Sequence, residues 1–266
     1  NIRGIDNVLI AIKEVFASLY NDRAISYRVH QGFDHDIVAL SAGVQRMVRS
    51  ETGAAGVMFT LDTESGFRDV VFITASYGLG EMVVQGAVNP DEFYLSKPLL
   101  NAGKHAVLRR NLGSKHQKMI YGEDHGKLTK VVSTNEEQKT NFCITDKQAL
   151  EIATWVSSIE RYYSFIKAEQ TSMDVEWAID GLTNELFIVQ ARPETVHSQK
   201  KNKTLVEYNI NNNGVTPIVN GIAVGDGIGT GEVTIMFSLD GRDGTIDASQ
   251  FKQGSVLVTD MTDPDW

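Results

Sequence analysis

Two short β-rich runs joined by a turn-rich stretch constrain the fold of this chain more than any other feature. Met173 to Ile179 and Leu186 to Ala191 are rich in apolar and β-branched residues. Between them lies Asp180-Gly181-Leu182-Thr183-Asn184, which is rich in turn-forming residues. This pattern predicts a β-hairpin. Because alternate side chains of a strand point to opposite faces, such a hairpin determines which residues share a face.

Polar side chains alternate with apolar ones in both predicted strands. Asp174 and Glu176 share a face of the first strand, and Gln190 and Arg192 share a face of the second. If these faces align, two carboxylates, an amide oxygen and a guanidinium converge. Magnesium prefers oxygen ligands, usually one or two carboxylates plus substrate phosphates, and arginine binds phosphate in a bidentate manner. The set therefore indicates phosphoryl transfer, which needs both a metal and a cation.

The alternative interpretation is that these polar residues form the solvated face of an antiparallel sheet, which is a common pattern. Against it stands the apolar character of the neighbouring positions, which places the polar groups where a core sheet is expected. These neighbours are Val175, Trp177, Ile188 and Val189.

Apolar spacing and β-rich runs predict further elements along the chain. One helix is expected to start at an Asp6 N-cap and end near Asn21, and another to start at Thr145 with Gln148 completing a capping box. The remaining strand-like stretches are Val38 to Val48, Ala54 to Thr60, Val70 to Ala75, Glu92 to Ser96, Gly221 to Val233 and Gly254 to Thr259, and 97–140 is predicted as irregular strands and loops.

Composition excludes several classes of protein. The net charge of −9 disfavours sequence-independent binding to nucleic acid, which requires basic residues. No apolar run approaches the roughly 20 residues that span a bilayer, and the N-terminal residues do not resemble a signal peptide. The single cysteine, Cys143, rules out a disulfide framework and is typical of a reducing cytoplasm. We therefore expect a cytoplasmic protein without membrane or nucleic-acid partners.

Four motifs occur in order along the chain: Val44-Gln45-Arg46-Met47-Val48, Gly56-Val57-Met58-Phe59-Thr60, Ala75-Ser76-Tyr77-Gly78-Leu79-Gly80-Glu81, and Asp174-Val175-Glu176-Trp177 with Gln190-Ala191-Arg192-Pro193. Together they resemble the nucleotide-binding domain of the PEP-utilising dikinases, which include pyruvate phosphate dikinase and the water dikinases. The resemblance covers nearly all of residues 1–196.

The resemblance implies an α+β fold, namely an ATP-grasp domain over 1–196 that is incomplete at its N-terminus. A linker is expected over 197–214, followed over 215–266 by the start of a β-rich swivelling phosphohistidine domain, truncated before its histidine. Glu176 and Gln190 would hold Mg²⁺ and orient the phosphates of ATP, Asp174 would support this metal shell, and Arg192 would contact the transferring phosphoryl group. Gln45, Arg46 and Met47 would form the hinge beside adenine.

The reaction implied is ATP + pyruvate + water → phosphoenolpyruvate + AMP + phosphate, relayed through a histidine, in an enzyme that is expected to be a homo-oligomer. None of the six histidines here has the expected Gly- and Thr-rich context. The family's N-terminal cations and its pyruvate-binding barrel also have no counterpart, so the chain alone is not expected to complete the reaction. The alternatives are the ATP module of another dikinase of this family, a non-catalytic nucleotide-binding module, or an α+β domain without an ATP site.

Two glycine-rich stretches and one methionine leave alternatives open. Gly78 and Gly80 either let a loop approach phosphates or form a tight turn after a strand. Met58 is either an apolar wall for adenine or a core residue. The run from Gly225 to Gly231 lacks the spacing of a dinucleotide-binding motif and is interpreted as structural turns.

Overall fold

The computed structural model describes residues 2–122, 129–195, 214, 216, 227–237 and 248–259. Its helices are α1 (Ile5–Ala17), α2 (Asp22–Gln31), α3 (Glu81–Val84), α4 (Lys97–Asn101), α5 (Glu136–Thr140) and α6 (Asp146–Lys167), with short 3-10 turns at Ser18–Tyr20, Ser50–Thr52 and Ala248–Gln250. Its strands are β1 (Ala54–Phe59), β2 (Val70–Tyr77), β3 (Asp91–Ser96), β4 (Val107–Asn111), β5 (Gln117–Tyr121), β6 (Thr129–Ser133), β7 (Met173–Ile179), β8 (Leu186–Pro193), β9 (Val233–Ile235) and β10 (Val256–Val258). The α+β prediction is confirmed.

The described residues form two compact units, one drawn from Asn1–Met47 and Ile228–Trp266 and the other from Val48–Gly227. The second unit is built on a six-stranded sheet with the order β4-β3-β2-β1-β7-β8, in which all neighbours are antiparallel. Strands β5 and β6 form a separate antiparallel hairpin in this unit. In the first unit, β9 and β10 form a short parallel pair.

Helix α6 covers one face of the six-stranded sheet. It begins with the predicted capping box, in which the side chains of Thr145 and Gln148 each bond to the backbone of the other residue. The apolar stripe of α6 then packs into a core with the inward-facing side chains of the central strands. The largest fully buried side chain of the sheet is that of Trp177. The opposite face of the sheet therefore carries the other set of alternating residues.

Local sequence predicted most of the core elements but missed the start of α1 and the helices α2 to α5, of which α4 and α5 lie in the stretch 97–140 that was predicted as irregular strands and loops. Strands β1, β2, β3, β7 and β8 lie where β-rich runs predicted them. The Asp6 N-cap was wrong, because the N-cap is Gly4 and Asp6 lies in the first helical turn. Helix α2 has a polar sequence and is delimited instead by its ends: Asn21 accepts a hydrogen bond from Ala24, and Gly32 closes the helix in a left-handed conformation.

Only part of the predicted boundary between the two domains lies within the described residues. Of the linker 197–214, only Gly214 is described, and of the run from Gly225 to Gly231 the first two residues lie outside the described residues. The predicted stretch Gly254 to Thr259 contains β10, whereas the predicted stretch Gly221 to Val233 overlaps β9 only at Val233, and its residues 221–226 lie outside the described residues. Within the described part of the chain, no helix has the length and apolar character that crossing a membrane requires.

Gly78 has a packing role that favours the tight-turn interpretation. It adopts φ +87°, and a Cβ atom here would lie 2.5 Å from the carbonyl oxygen of Met119 in β5. The neighbouring Leu79 N–H donates to that same oxygen at 2.9 Å. The glycine thus lets the turn after β2 meet the β5–β6 hairpin.

Replacing Gly78 with alanine is expected to lower the free energy of unfolding by more than the same change at Gly86. Both glycines have positive φ, but a Cβ at Gly86 meets nothing within 4 Å. Gly86→Ala should cost about 1 kcal/mol of backbone strain, and Gly78→Ala should cost about 2–4 kcal/mol because the clash is added. Urea unfolding of the two variants measures the difference, and equal losses would refute the packing role.

Candidate functional site

The predicted hairpin is present, and it brings the four polar residues together. Strands β7 and β8 pair in antiparallel fashion, with Glu176 opposite Gln190 and Asp174 opposite Arg192. Directly opposite residues have Cβ atoms about 4.5–5.5 Å apart, so each pair is in reach of a shared ligand. The intervening Val175 and Trp177 are buried in the core under α6. The four polar residues therefore share the face that α6 does not cover.

A β-bulge lies beside the Glu176–Gln190 pair. The register shifts after this pair, because Trp177 is opposite Ile188 and Val189 has no partner in β7. A bulge bends its strand and redirects the adjacent side chains, and bulges are frequent next to functional sites. Sequence reasoning missed this irregularity, because β-rich composition carries no signal for one extra residue.

Asp174 and Arg192 form a directed ion pair. The guanidinium donates from Nε at 2.8 Å and from Nη2 at 2.7 Å, both to Oδ2 of Asp174. The side chain of Asp174 is 14% exposed, whereas that of Arg192 is 67% exposed. The largely buried carboxylate thus orients the arginine, while most of the arginine side chain remains exposed to solvent.

Glu176 lies in an environment that disfavours its negative charge. Burial raises the pKa of this carboxyl above its usual value, the nearby charge of Asp174 raises it further, and Arg192 partly offsets both effects. A carboxylate in this environment gains from a cation placed next to it. Perturbed carboxyl groups of this kind are frequent at functional sites.

Cation binding at Glu176 is expected to weaken as the solution becomes more acidic, because a proton competes with the metal. The competition should begin above the ordinary glutamate pKa of 4.5, since the pKa of Glu176 is raised. The same shift means that the folded state holds this proton more tightly than the unfolded state does. Protonation of Glu176 therefore stabilises the folded state at acid pH, and this stabilisation is lost as the pH rises through the raised pKa of the group.

Titrations with MgATP at a series of pH values, from the ordinary glutamate pKa of 4.5 up to neutrality, measure this dependence. Glu176→Gln should flatten the profile, because glutamine does not titrate. A profile that is unchanged in this variant would show that another group competes with the proton.

Aromatic side chains of the neighbouring strands extend the same face of the sheet. Phe59 of β1 is opposite Asp174, and Phe72 of β2 is opposite Phe59. Their rings stack with centroids 6.5 Å apart, and Tyr94 lies against Phe72 at 4.6 Å. The charged groups of the hairpin therefore lie next to aromatic side chains on the same face of the sheet. Electrostatic interactions beside such an apolar surface are stronger than in water.

The residues predicted beside adenine lie in the other compact unit. Gln45, Arg46 and Met47 line a cleft of about 420 Å³ together with residues of α1. Met58 is fully buried in the core beneath α6, which supports the core interpretation of this residue. Within the described residues, no group of three or more His, Cys, Asp or Glu side chains is arranged to hold a metal ion. A metal at the hairpin would therefore need an amide oxygen and the ligand's own oxygens.

The hairpin thus sets two carboxylates, an amide and an oriented arginine on one face of the sheet. Residues 1–212 match the family "Pyruvate phosphate dikinase, AMP/ATP-binding domain". This chain belongs to that family, which confirms the resemblance seen in its motifs.

Individual relatives show which enzymes of this family the chain is similar to. The chain is 57% identical to the phosphoenolpyruvate synthase of Pseudomonas aeruginosa, 55% identical to that of Neisseria meningitidis and 52% identical to that of Escherichia coli. Each match covers 100% of this chain and 32% of the relative. The chain thus spans about a third of the length of the curated relatives that it matches.

Proposed function

We propose that this chain is the ATP-binding part of a phosphoenolpyruvate synthase and that the β7–β8 hairpin binds the phosphates of ATP. The observation that carries the proposal is the register of the hairpin, which sets Glu176 opposite Gln190 and Asp174 opposite Arg192 on one face. A second support is membership in a family described as an AMP/ATP-binding domain. The partial burial of Asp174 and Glu176 favours this proposal over the solvated-face alternative, in which both carboxylates would be exposed.

The donor set fits Mg²⁺. Magnesium is usually bound by one or two carboxylates plus substrate phosphates and retains several waters, so it does not require a cage of protein ligands. Glu176 and Gln190 supply one carboxylate and one amide oxygen, and Asp174 adds a second carboxylate whose Oδ2 is already bonded to Arg192. We therefore assign Glu176 and Gln190 as the principal ligands and Asp174 as a supporting residue. When bound, the ion would neutralise phosphate charge.

Arg192 is the group proposed to act on the transferring phosphoryl group. Its planar guanidinium is held at one edge by Asp174, which reduces the entropy lost when the arginine binds phosphate oxygens. In phosphoryl transfer, catalysis depends mainly on positioning and on stabilising charge at the phosphoryl oxygens. Arg192 would serve both purposes.

The wider assignment concerns the polypeptide to which this chain would belong. We propose an ATP-grasp domain over 1–196, a linker over 197–214 and the start of a phosphohistidine domain over 215–266. The reaction would pass a phosphoryl group from ATP through a histidine to pyruvate, giving phosphoenolpyruvate, AMP and phosphate. Pyruvate would bind outside this chain, and the enzyme would be a cytoplasmic homo-oligomer. Gln45, Arg46 and Met47 are proposed to contact adenine.

The role of Arg192 is tested by comparing ATP with AMP. Calorimetric titrations in magnesium should show that Arg192→Met weakens ATP binding by about 10–100-fold, as expected for loss of a charge-assisted contact. AMP binding should change by less than about threefold, because AMP lacks the distal phosphates.

Arg161→Met is a suitable control, because Arg161 lies exposed on α6 and bonds only locally to Ser158 among the contacts described. It should leave both affinities unchanged. Equal losses of ATP and AMP binding in Arg192→Met would contradict the proposed contact with the transferring phosphoryl group.

A further inference from the structure

A buried lysine joins three parts of the second unit at one point. Lys97 is the first residue of α4, and its ammonium donates to the carbonyl oxygen of Thr60 at 2.6 Å. The same ammonium donates to the two carboxylate oxygens of Glu160 in α6 at 2.8 Å and 2.7 Å. The side chains of Lys97 and Glu160 are 10% and 11% exposed. Three acceptors therefore occupy the three N–H groups of the ammonium.

Stability alone does not explain this buried ion pair. Apolar side chains of similar volume are often at least as stabilising as a buried pair, because both charges lose their hydration. Burial lowers the pKa of Lys97 from its ordinary value, and the hydrogen bond with Glu160 offsets only part of this effect. The lysine supplies what an apolar residue could not, namely a donor for the carbonyl group of Thr60.

Thr60 lies at the point where the ladder between β1 and β7 ends. The last paired residues of this ladder are Phe59 and Asp174. Beyond them, the N–H of Thr60 donates to the carbonyl oxygen of Met173 at 3.0 Å, and the hydroxyl of Thr60 accepts from the N–H of Met173 at 2.8 Å. Thr60 thus adds one further pair of bonds to β7, directly before Asp174.

Lys97 also fixes the segment between β1 and β2 at both of its ends. Its side chain bonds to Thr60, the residue after β1, and its backbone N–H donates to the carbonyl oxygen of Asp69 at 2.9 Å. Asp69 is the residue before β2. Strand ends fray unless contacts hold them, so this lysine determines how firmly the end of the sheet beside Asp174 is held.

We propose that Lys97 is a positioning residue for the Asp174–Arg192 pair and acts on it through Thr60. Two bonds to one oxygen of Asp174 direct the guanidinium of Arg192, so a shift of the end of β7 moves the arginine as well. A displacement of about 1 Å is enough to disturb the positioning of a reacting group. The consequence for ATP rests on the proposed function, whereas the effect on the ion pair does not.

The NMR signal of the Arg192 Nε–H group tests the inference without nucleotide. Asp174→Asn defines the signal of the arginine without its carboxylate. We expect Lys97→Met to move the signal at least halfway to that position. The double variant Lys97→Met with Glu160→Met should move it equally, and it should retain more stability because no uncompensated charge stays buried. An unchanged signal in the double variant would overturn the inference.

Lys115→Met is the matched control for Lys97→Met. Lys115 is also a buried lysine in an ion pair, but it bonds to Asp91 and to the carbonyl oxygen of Gly113 instead of Thr60. The control should lower stability and leave the Nε–H signal of Arg192 unchanged. Equal movement of the signal in the two single variants would assign the effect to lost stability and would overturn the positioning role.

Titrations with ATP in magnesium show whether the positioning reaches the ligand through Arg192. The double variant at Lys97 and Glu160 should weaken ATP binding by about tenfold, but by less than about twofold in a chain that also carries Arg192→Met, because coupled residues are not additive. Equal losses with and without Arg192→Met would overturn the route through Arg192. If Arg192→Met alone left ATP binding unchanged, the proposed function would fail, and the Nε–H signal would still decide the inference.

Discussion

Replacing Glu176 with glutamine is expected to remove the magnesium-dependent part of ATP binding. Glutamine keeps the size and hydrogen-bonding capacity of the side chain but removes the charge that would compensate a divalent cation. The carboxylate of Glu176 lies in a partly buried environment that disfavours its negative charge. A bound cation therefore stabilises this carboxylate more than it would stabilise an exposed one. We expect the affinity for MgATP to fall by about 100-fold, or roughly 2.7 kcal/mol. Calorimetric titration with and without magnesium measures this loss.

Glu185→Gln is the matched control for that experiment. Glu185 lies just before β8 in the same hairpin and is exposed, so the same chemical change should leave the affinity unaltered. Asp36→Ala, an exposed change in the other unit, should also have no effect. Equal losses from Glu176→Gln and from either control would refute the assignment of Glu176.

The second large effect is expected at a buried ion pair outside the proposed site. The side chains of Asp91 and Lys115 are fully buried and bonded to each other. Asp91 also accepts from the backbone N–H of Gly113 at 2.9 Å and of Cys143 at 2.8 Å. One carboxylate thus joins the start of β3 to the segments that precede β5 and α6.

Lys115→Met is expected to lower the free energy of unfolding by about 3–5 kcal/mol, because it leaves the carboxylate of Asp91 buried without a counter-charge. In urea unfolding, the loss should appear as a lower denaturation midpoint, while the dependence of the free energy of unfolding on urea concentration stays unchanged. The double variant Asp91→Asn with Lys115→Met should be more stable than Lys115→Met alone, because removing the buried charge outweighs the loss of one of the two acceptor oxygens that bind the backbone N–H groups of Gly113 and Cys143.

The exposed pair between Lys139 and Glu136 provides the comparison for this prediction. Lys139→Met should cost less than about 1 kcal/mol, as is typical of solvated ion pairs. If Lys115→Met were as mild as Lys139→Met, or if the double variant were less stable than Lys115→Met, the buried charge would not be the cause.

The sequence predicted the helices and strands in which the pattern of apolar and capping residues matches the side that is buried. The Thr145 capping box and the apolar stripe of α6 are both present, and the β7–β8 hairpin has the expected faces. Helix α2 was missed because its signal lies in its caps rather than in an apolar stripe. The strand-like stretch 38–48 forms no ladder, because strand structure depends on a partner and composition alone does not supply one.

The pairing of the four hairpin residues was predictable from the sequence, but the details of that pairing were not. Alternation placed Asp174, Glu176, Gln190 and Arg192 on matching faces, and their register agrees with this. The bulge at Val189 and the geometry of the Asp174–Arg192 pair depend on three-dimensional packing that spacing does not encode. The roles of these residues in binding metal and phosphate remain predictions.

Residue-resolved NMR of this chain titrated with ATP, with and without magnesium, tests the central claim most directly. The account predicts that MgATP shifts the backbone signals of residues 174–176 and 190–192, and that these shifts diminish without magnesium. Signals of the Lys97–Asn101 helix should remain unchanged, because none of the proposed ligands lies there. Absence of shifts in the β7–β8 hairpin at saturating MgATP would contradict the account.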